Sequence, residues 1–479
     1  MSSLKQQSVA GVFWNLAERF GVYVFKFFIG IILARLLTPA DFGLVGMIYV
    51  FIAVAEVFVS SGLGLAYVQK KEVTDADANT IFYTNLVLSA ALYIIIFLGA
   101  PLIAGFYSQP KLIEISQVMG FIIVINAFSV IQNARIVRSL DFNRRAKVTL
   151  IGTLIGGTGG VVAAYWGMGV WALVIQSMIN RTMIAIGFWI TSQWKPRWQF
   201  SIESFRELFA FGSWSLGSNV VMKVFDNIYV IAIGRFFPAA QVGFFNKAKG
   251  FQQLASEHLV GAISSVGFPV YAKLQDDKEK LRNGMRKFMQ YTLVFIIPLL
   301  IGLIVVANPF VILLIKEKWA PMIPYMQLLC VAGMFFPLTV INIQALTAQG
   351  KIRLSFRLTL LQTGLRIVNI ACMYPFGIIY MIWGEVVLSF VYFIITTRFI
   401  KQSVNYGIIK QINDIWKIIT GGIIAGIIAY LPNFMTNNLP VLLFTGIFLT
   451  FSIFIGTQYL FNRKLFFNTI ALKDYLINK

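Results

Sequence analysis

A chain of 479 residues that is 58% hydrophobic and only 12% charged carries more apolar surface than a soluble fold of that length can bury, so a polytopic membrane protein is expected. Its net charge of +21 does not indicate nucleic-acid binding. Most Lys and Arg fall in short loops beside apolar segments, the pattern that orients membrane helices, and no soluble module displays a basic face.

In chain order, the first apolar segment, 10–34, carries Glu18, Arg19 and Lys26. It lacks a small-residue cleavage site after a clean apolar region, so it is expected to remain as a membrane helix rather than a signal peptide. Segments of roughly 20 residues or more, the length that crosses a bilayer, follow at 42–67, 80–106, 112–135, 147–167 and 169–192. After a polar stretch, a second set lies at 209–235, 242–268, 286–307, 320–347, 356–375 and 377–399, and a final pair at 415–431 and 439–461. Amphipathic stretches at Phe200–Phe209 and Asp276–Phe288 are expected to lie on the cytoplasmic surface. Cys330 and Cys372 both sit inside apolar segments, which implies no disulfide framework.

Numbering the loops along the chain, only Arg35, Lys111, Arg235, Lys316 and Lys318 of the 40 Lys and Arg residues fall in odd-numbered loops. Even-numbered loops and both termini hold most of the rest, so both termini are expected in the cytoplasm. The tract RLLTPADFG at Arg35–Gly43 returns as RFFPAAQVG at Arg235–Gly243, and the same offset lays Trp14 on Trp214 and Phe25 on Phe225. A slightly larger offset lays Thr149 and Leu150 on Thr359 and Leu360, and Gly167 on Gly377. Each copy holds the same place in its set of six spans. Six is even, so the halves enter from the same side and the repeat is parallel, about an axis along the membrane normal.

The expected fold is therefore all-α: fourteen transmembrane helices in two pseudo-two-fold-related six-helix lobes, 1–200 and 201–405, plus a C-terminal helix pair with a cytoplasmic tail, 406–479. The cleft between the halves is the expected cargo site.

Ionisable groups at mid-span cost roughly 2.5–3.5 kcal/mol each on insertion scales, so they face a cavity or a partner. Here the cations Arg19, Lys26, Arg181, Lys223, Lys247, Lys249 and Arg366 outnumber the acids Glu18, Glu56, Asp226, Glu257 and Glu385. Stripes at helical spacing run through Asn219, Lys223 and Asp226, through Lys249, Gln253 and Glu257, and through Gln362, Arg366 and Asn369. A cavity with surplus Lys and Arg suits an anionic cargo such as a pyrophosphate. The seven cations are the candidate cargo ligands. Glu56, Asp226, Glu257, His258 and Glu385 are candidates for ion coupling or for internal pairing, such as Lys223 with Asp226 or Lys249 with Glu257. Glu56 and Glu257 hold nearly equivalent repeat positions, and His258 has the side-chain type suited to carrying a proton. Asp75-Ala76-Asp77 has the DxD pattern of metal-dependent glycosyltransferases but no nucleotide-binding domain around it. The glycine run Gly152–Gly160 has no lysine after it, so it is read as a close-packing helix face rather than a phosphate loop.

The tract Arg35–Gly43, with GFFNKAK at Gly243–Lys249 and GFPVYAKLQ at Gly267–Gln275, resembles the polysaccharide-transporter branch of the multidrug/oligosaccharidyl-lipid/polysaccharide exporter superfamily. Within it the resemblance is to Wzx-type flippases and colanic or teichuronic acid exporters, and it covers essentially the whole chain. The resemblance implies a flippase, not an enzyme, that moves an undecaprenyl-pyrophosphate-linked oligosaccharide across the bacterial inner membrane by alternating access. It implies no cofactor and an ion gradient or membrane potential as the drive. The implied partners are the lipid-linked oligosaccharide, membrane lipid, a polysaccharide polymerase and other assembly proteins. The lipid II flippase branch is the alternative. A polysaccharide polymerase or ligase fits less well, because those enzymes carry a large outer loop and every odd-numbered loop here is short.

Overall fold

The computed structural model describes residues 2–60, 62–192, 194–463, 465 and 467, and every regular element among them is a helix. The chain packs as two compact units, Met1–Asn246 and Lys247–Lys479.

The first unit opens with α1 (Ser2–Leu36), α2 (Pro39–Ser60), the short α3 (Leu63–Gln69) and α4 (Asp75–Tyr107). It continues through α5 (Leu112–Gly120), α6 (Ile122–Arg138), α7 (Phe142–Tyr165) and α8 (Val170–Thr191) to α9 (Ile202–Asp226) and α10 (Ile228–Phe236). The DxD pair is a helix start. Thr74 Oγ1 accepts from the Asp77 amide at 3.1 Å while Asp77 Oδ2 accepts from the Thr74 amide at 2.9 Å, a reciprocal capping box. Lys70, between α3 and α4, reaches Glu207 Oε2 at 2.8 Å and Asp77 Oδ1 at 3.1 Å. Its hydrogen bond to the Glu207 carboxylate holds the ammonium above the usual lysine range.

The glycine run packs as its composition predicts. A Cβ on Gly152, Gly156 or Gly160, one per turn of α7, would lie 2.5–2.6 Å from Ile184, Asn180 or Gln176 of α8. One on Gly157 would lie 2.0 Å from Ile29 of α1. α7 is thus wedged between two helices at a distance only glycine permits.

The repeated tracts meet inside this unit, where α2 crosses the first turns of α11 (Ala239–Ala255). A Cβ on Gly43 would lie 1.8 Å from the carbonyl oxygen of Ala239, and one on Gly243 would lie 2.0 Å from that of Pro39. Each glycine meets the residue equivalent to the one its counterpart meets, as a local two-fold relation requires.

The second unit contains α12 (Glu257–Leu274), α13 (Lys278–Val305), α14 (Ala307–Ile315), α15 (Ile323–Gly333) and α16 (Phe336–Ala348). It ends with α17 (Ile352–Met373), α18 (Ile378–Val404), α19 (Ile408–Tyr430) and α20 (Leu439–Phe461). Helix α13 is its centre and packs against α12, α15, α16, α19 and α20. Asp414 of α19 binds Arg286 Nε at 2.9 Å and accepts from the Tyr406 hydroxyl at 2.9 Å. Beside it Asn342, Thr396, Thr397 and Gln411 form a buried amide–hydroxyl network. These bonds fasten the C-terminal pair to α13, α16 and α18.

Ten helical runs among the described residues are long and apolar enough to cross a membrane. They match the expected spans 2–6, 9, 10 and 12–14. The other four expected spans are helical too, as α1, α9 with α10, α11 with α12, and α17. Their charges dilute the apolar signal, and two of them break mid-way, at Asn227 and Ser256. The amphipathic stretches are not separate surface helices. Phe200–Phe209 runs into the start of α9, capped by Ser201, and Asp276–Phe288 into the start of α13, capped by Asp277. With a cap at each start the helices run on unbroken, through Gly212 in α9 and Gly284 in α13.

Candidate functional site

In the first unit the inward charges pair across helices. Arg181 Nη2 of α8 lies 2.8 Å from Glu56 Oε1 of α2. Glu18 of α1 is buried, with Oε1 3.6 Å from Arg145 Nε of α7 and Oε2 without a hydrogen-bond partner among the described residues. Glu18, Arg145 and Arg181 line a polar pocket of about 380 Å³ that also takes in Asn126, Ser129, Asn133 and Thr149. Its floor holds donors and acceptors in excess of their mutual bonds, so it is built to be wet or to hold a polar guest.

Lys26 and Lys223 have no carboxylate within ion-pair distance among the described residues. Lys26 lies near the like charge of Arg181. Lys223 is half-buried on α9, and the expected pairing with Asp226 is not among the ion pairs of the described residues. The side chains of Arg19 and His258 lie outside the described residues.

In the second unit Arg366 of α17 grips Glu385 of α18 through two nitrogens, Nε at 3.0 Å and Nη2 at 2.5 Å from Oε1. One turn on, Asn369 Nδ2 donates to the Met381 carbonyl at 2.9 Å. On the neighbouring stripe, Glu257 accepts from Gln253 Nε2 at 3.0 Å, while Lys247 and Lys249 are half-buried on α11.

Residues 32–324 match the family described as polysaccharide biosynthesis protein. The chain belongs to that family. Among curated relatives it is 24% identical to the teichuronic acid biosynthesis protein TuaB of Bacillus subtilis, over 91% of each chain. It is 27% identical to the lipopolysaccharide biosynthesis protein WzxC of Escherichia coli, over 75% of this chain and 74% of the relative. Among solved structures, the inward-closed lipid II flippase MurJ superposes with a TM-score of 0.74 at 15% identity, covering 95% of this chain and 99% of that one. An inward-facing multidrug transporter of the same superfamily gives 0.60 at 18% identity over 80% and 95%. At those identities the likeness establishes the fold. This family member is a multi-pass membrane protein with the helical architecture of that superfamily.

Arg145 falls in the loop between the expected spans 112–135 and 147–167, and the structure puts it opposite Glu18. The signal was available: Arg145 and Thr149 are four apart on α7, hence on one face, and both line the pocket. Asn126 and Asn133, seven apart on α6, also reach it and drew no attention because an uncharged amide inside an apolar run stands out less than an ion.

Proposed function

We propose that this protein is a flippase of the bacterial inner membrane that moves an undecaprenyl-pyrophosphate-linked oligosaccharide from the cytoplasmic to the outer leaflet. The family match over residues 32–324, on a fold shared with transporters, is the observation that carries the reading. Relatives named for teichuronic acid and lipopolysaccharide biosynthesis support the polysaccharide cargo. In this reading the ten apolar spans and the four charged helices make fourteen, grouped as lobes 1–200 and 201–405 with a C-terminal pair at 406–479. The lobes alternate access, and both termini face the cytoplasm.

Cargo phosphate is held by Lys26, Lys223, Lys247 and Lys249 together with Arg19. Arg181 and Arg366 each already face a carboxylate, so they position helices and meet cargo only in part. Asp226, Glu257 and His258 serve ion coupling or charge pairing, while Glu56 and Glu385 act chiefly as pairing acids. The lipid II reading draws on the likeness to MurJ, and at 15% identity that likeness speaks for the fold and not for the cargo.

Two tests follow from the site and the topology. Replacing Lys223 or Lys249 with Ala is expected to impair surface-polysaccharide export at unchanged protein level, each lost phosphate contact being worth roughly 1.5–3 kcal/mol. Arg in place of Lys should be milder. Normal export from both alanine variants would remove the cationic-cavity reading. For topology, single cysteines are introduced into a background without Cys330 and the exposed Cys372. An impermeant maleimide added to intact cells should spare Ala76→Cys, Arg144→Cys and Asp277→Cys and modify Lys316→Cys. Modification of Arg144→Cys from outside would sink the fourteen-span arrangement.

A further inference from the structure

We propose that an apolar trough on the first compact unit holds the hydrocarbon chain of the lipid carrier while its phosphate end meets cations at the mouth; this rests on the flippase reading. The trough has a volume of about 490 Å³ and lies among α2, α3, α4 and α9. On α4 its lining runs through Tyr83, Thr84, Val87, Leu88 and Ala91, one helical face about 12 Å long at 1.5 Å per residue. On α9 it runs through Phe205, Phe209 and Leu216, a stripe of about 16 Å. Two parallel apolar stripes make a channel shaped for a chain rather than for a compact ligand. At about 30 Å³ per carbon, near the share of a liquid water, it takes roughly sixteen carbons of one chain.

Leu63 forms a buried floor, whereas Val87 is 71% and Phe209 51% exposed, so a chain can enter sideways from the bilayer. The mouth is the end at which α4 and α9 both begin. There the Ser201 amide donates to Thr80 Oγ1 at 3.0 Å, and the Arg197 amide donates to Asn79 Oδ1 at 2.8 Å. Asp77 and Glu207 share Lys70 and together leave one negative charge. Around them lie Lys71, Lys195, Arg197 and Arg206, with Arg135 beside Asp75 and Arg138 on the carbonyls of Lys70 and Lys71, against Glu72, Asp75 and Glu203, which leaves this end with a positive surplus. Trp198, 94% exposed and stacked on Tyr83 with centroids 5.3 Å apart, marks the level of the membrane–water interface. An anion at the mouth, a ring at the interface and a single chain along the trough describe a polyprenyl phosphate. A two-chain phospholipid would leave one chain outside.

The test offers a diazirine-bearing polyprenyl phosphate to the full-length protein in phospholipid nanodiscs and maps the labelled peptides. Label is expected on the α4 and α9 segments of the trough, falling about tenfold with excess unlabelled polyprenyl phosphate but not with phosphatidylglycerol. Ala91→Trp, which fills the trough, should remove the label and slow export. Leu102→Trp, on the lipid-exposed far end of the same helix, should do neither. Equal competition by phosphatidylglycerol would make this a general lipid site and overturn the proposal, as would label that survives Ala91→Trp. Complementation separates the two readings. A chain that restores surface polysaccharide while the trough takes no label leaves the flippase and removes the trough; a chain that restores nothing removes both.

Discussion

Alanine at Gly43 is expected to remove most export and to lower the melting temperature of the purified protein. The added Cβ would lie 1.8 Å from the Ala239 carbonyl oxygen, a backbone atom that cannot rotate away, so α2 and α11 must part. Overpacking of this kind costs about 1–3 kcal/mol, and rigid backbone places it at the upper end. Gly243→Ala should behave alike, since its Cβ would lie 2.0 Å from the Pro39 carbonyl oxygen. The double variant should cost less than the sum, because one separation relieves both clashes. In the alternating-access reading, the crossing is closed in one state and opens in the other. A short crosslink between cysteines at Asp41 and Gln241 should then arrest transport until it is cleaved. Asp41 also caps α2 through Thr38, so the uncrosslinked double-cysteine protein is the reference. Full transport with the crosslink in place, or an unchanged melting temperature for Gly43→Ala, would mean that the crossing neither moves nor matters.

The repeat that pointed to this crossing was legible because Gly, Pro and the flanking apolar residues are needed at both copies for the same packing reason. The ten apolar spans were legible because nothing but a bilayer accommodates 20 apolar residues in a row. The four charged helices were read as apolar segments of the same length, although their charges keep them below the hydropathy of the other ten. What the sequence did not disclose was the choice of partner. Local spacing put Lys249, Gln253 and Glu257 on one face, and Glu257 accepts from Gln253 on that face. The pairs at the candidate site, Arg181 with Glu56, Arg145 with Glu18 and Arg366 with Glu385, each join two different helices. Helical periodicity says which residues share a face, but not which other helix that face meets. The polar pocket in the first unit was hidden for the same reason, since α1, α6, α7 and α8 all contribute to it.

Glu385→Ala should lower stability more than any cargo-site change, and it separates residues that hold the fold from those that hold cargo. The Glu385 side chain keeps only 12% of its surface exposed and Arg366 30%. Removing the carboxylate takes away the two-nitrogen grip that offsets burial of the guanidinium. Breaking a buried pair in this way costs about 3–5 kcal/mol, with the lower end expected here because Arg366 is partly accessible. The protein level should fall, and export with it. Exchanging the two residues, Arg366→Glu with Glu385→Arg, restores opposite charges between α17 and α18 and should recover much of the level. If Arg366 serves only to join those helices, export returns in step. If the guanidinium also meets cargo phosphate from its place on α17, the exchanged protein is stable but exports poorly, as Lys223→Ala is expected to be. Unchanged melting temperature in Glu385→Ala would show instead that the pair carries no structural weight, and Arg366 would then rank with Lys223 and Lys249 as a cargo ligand.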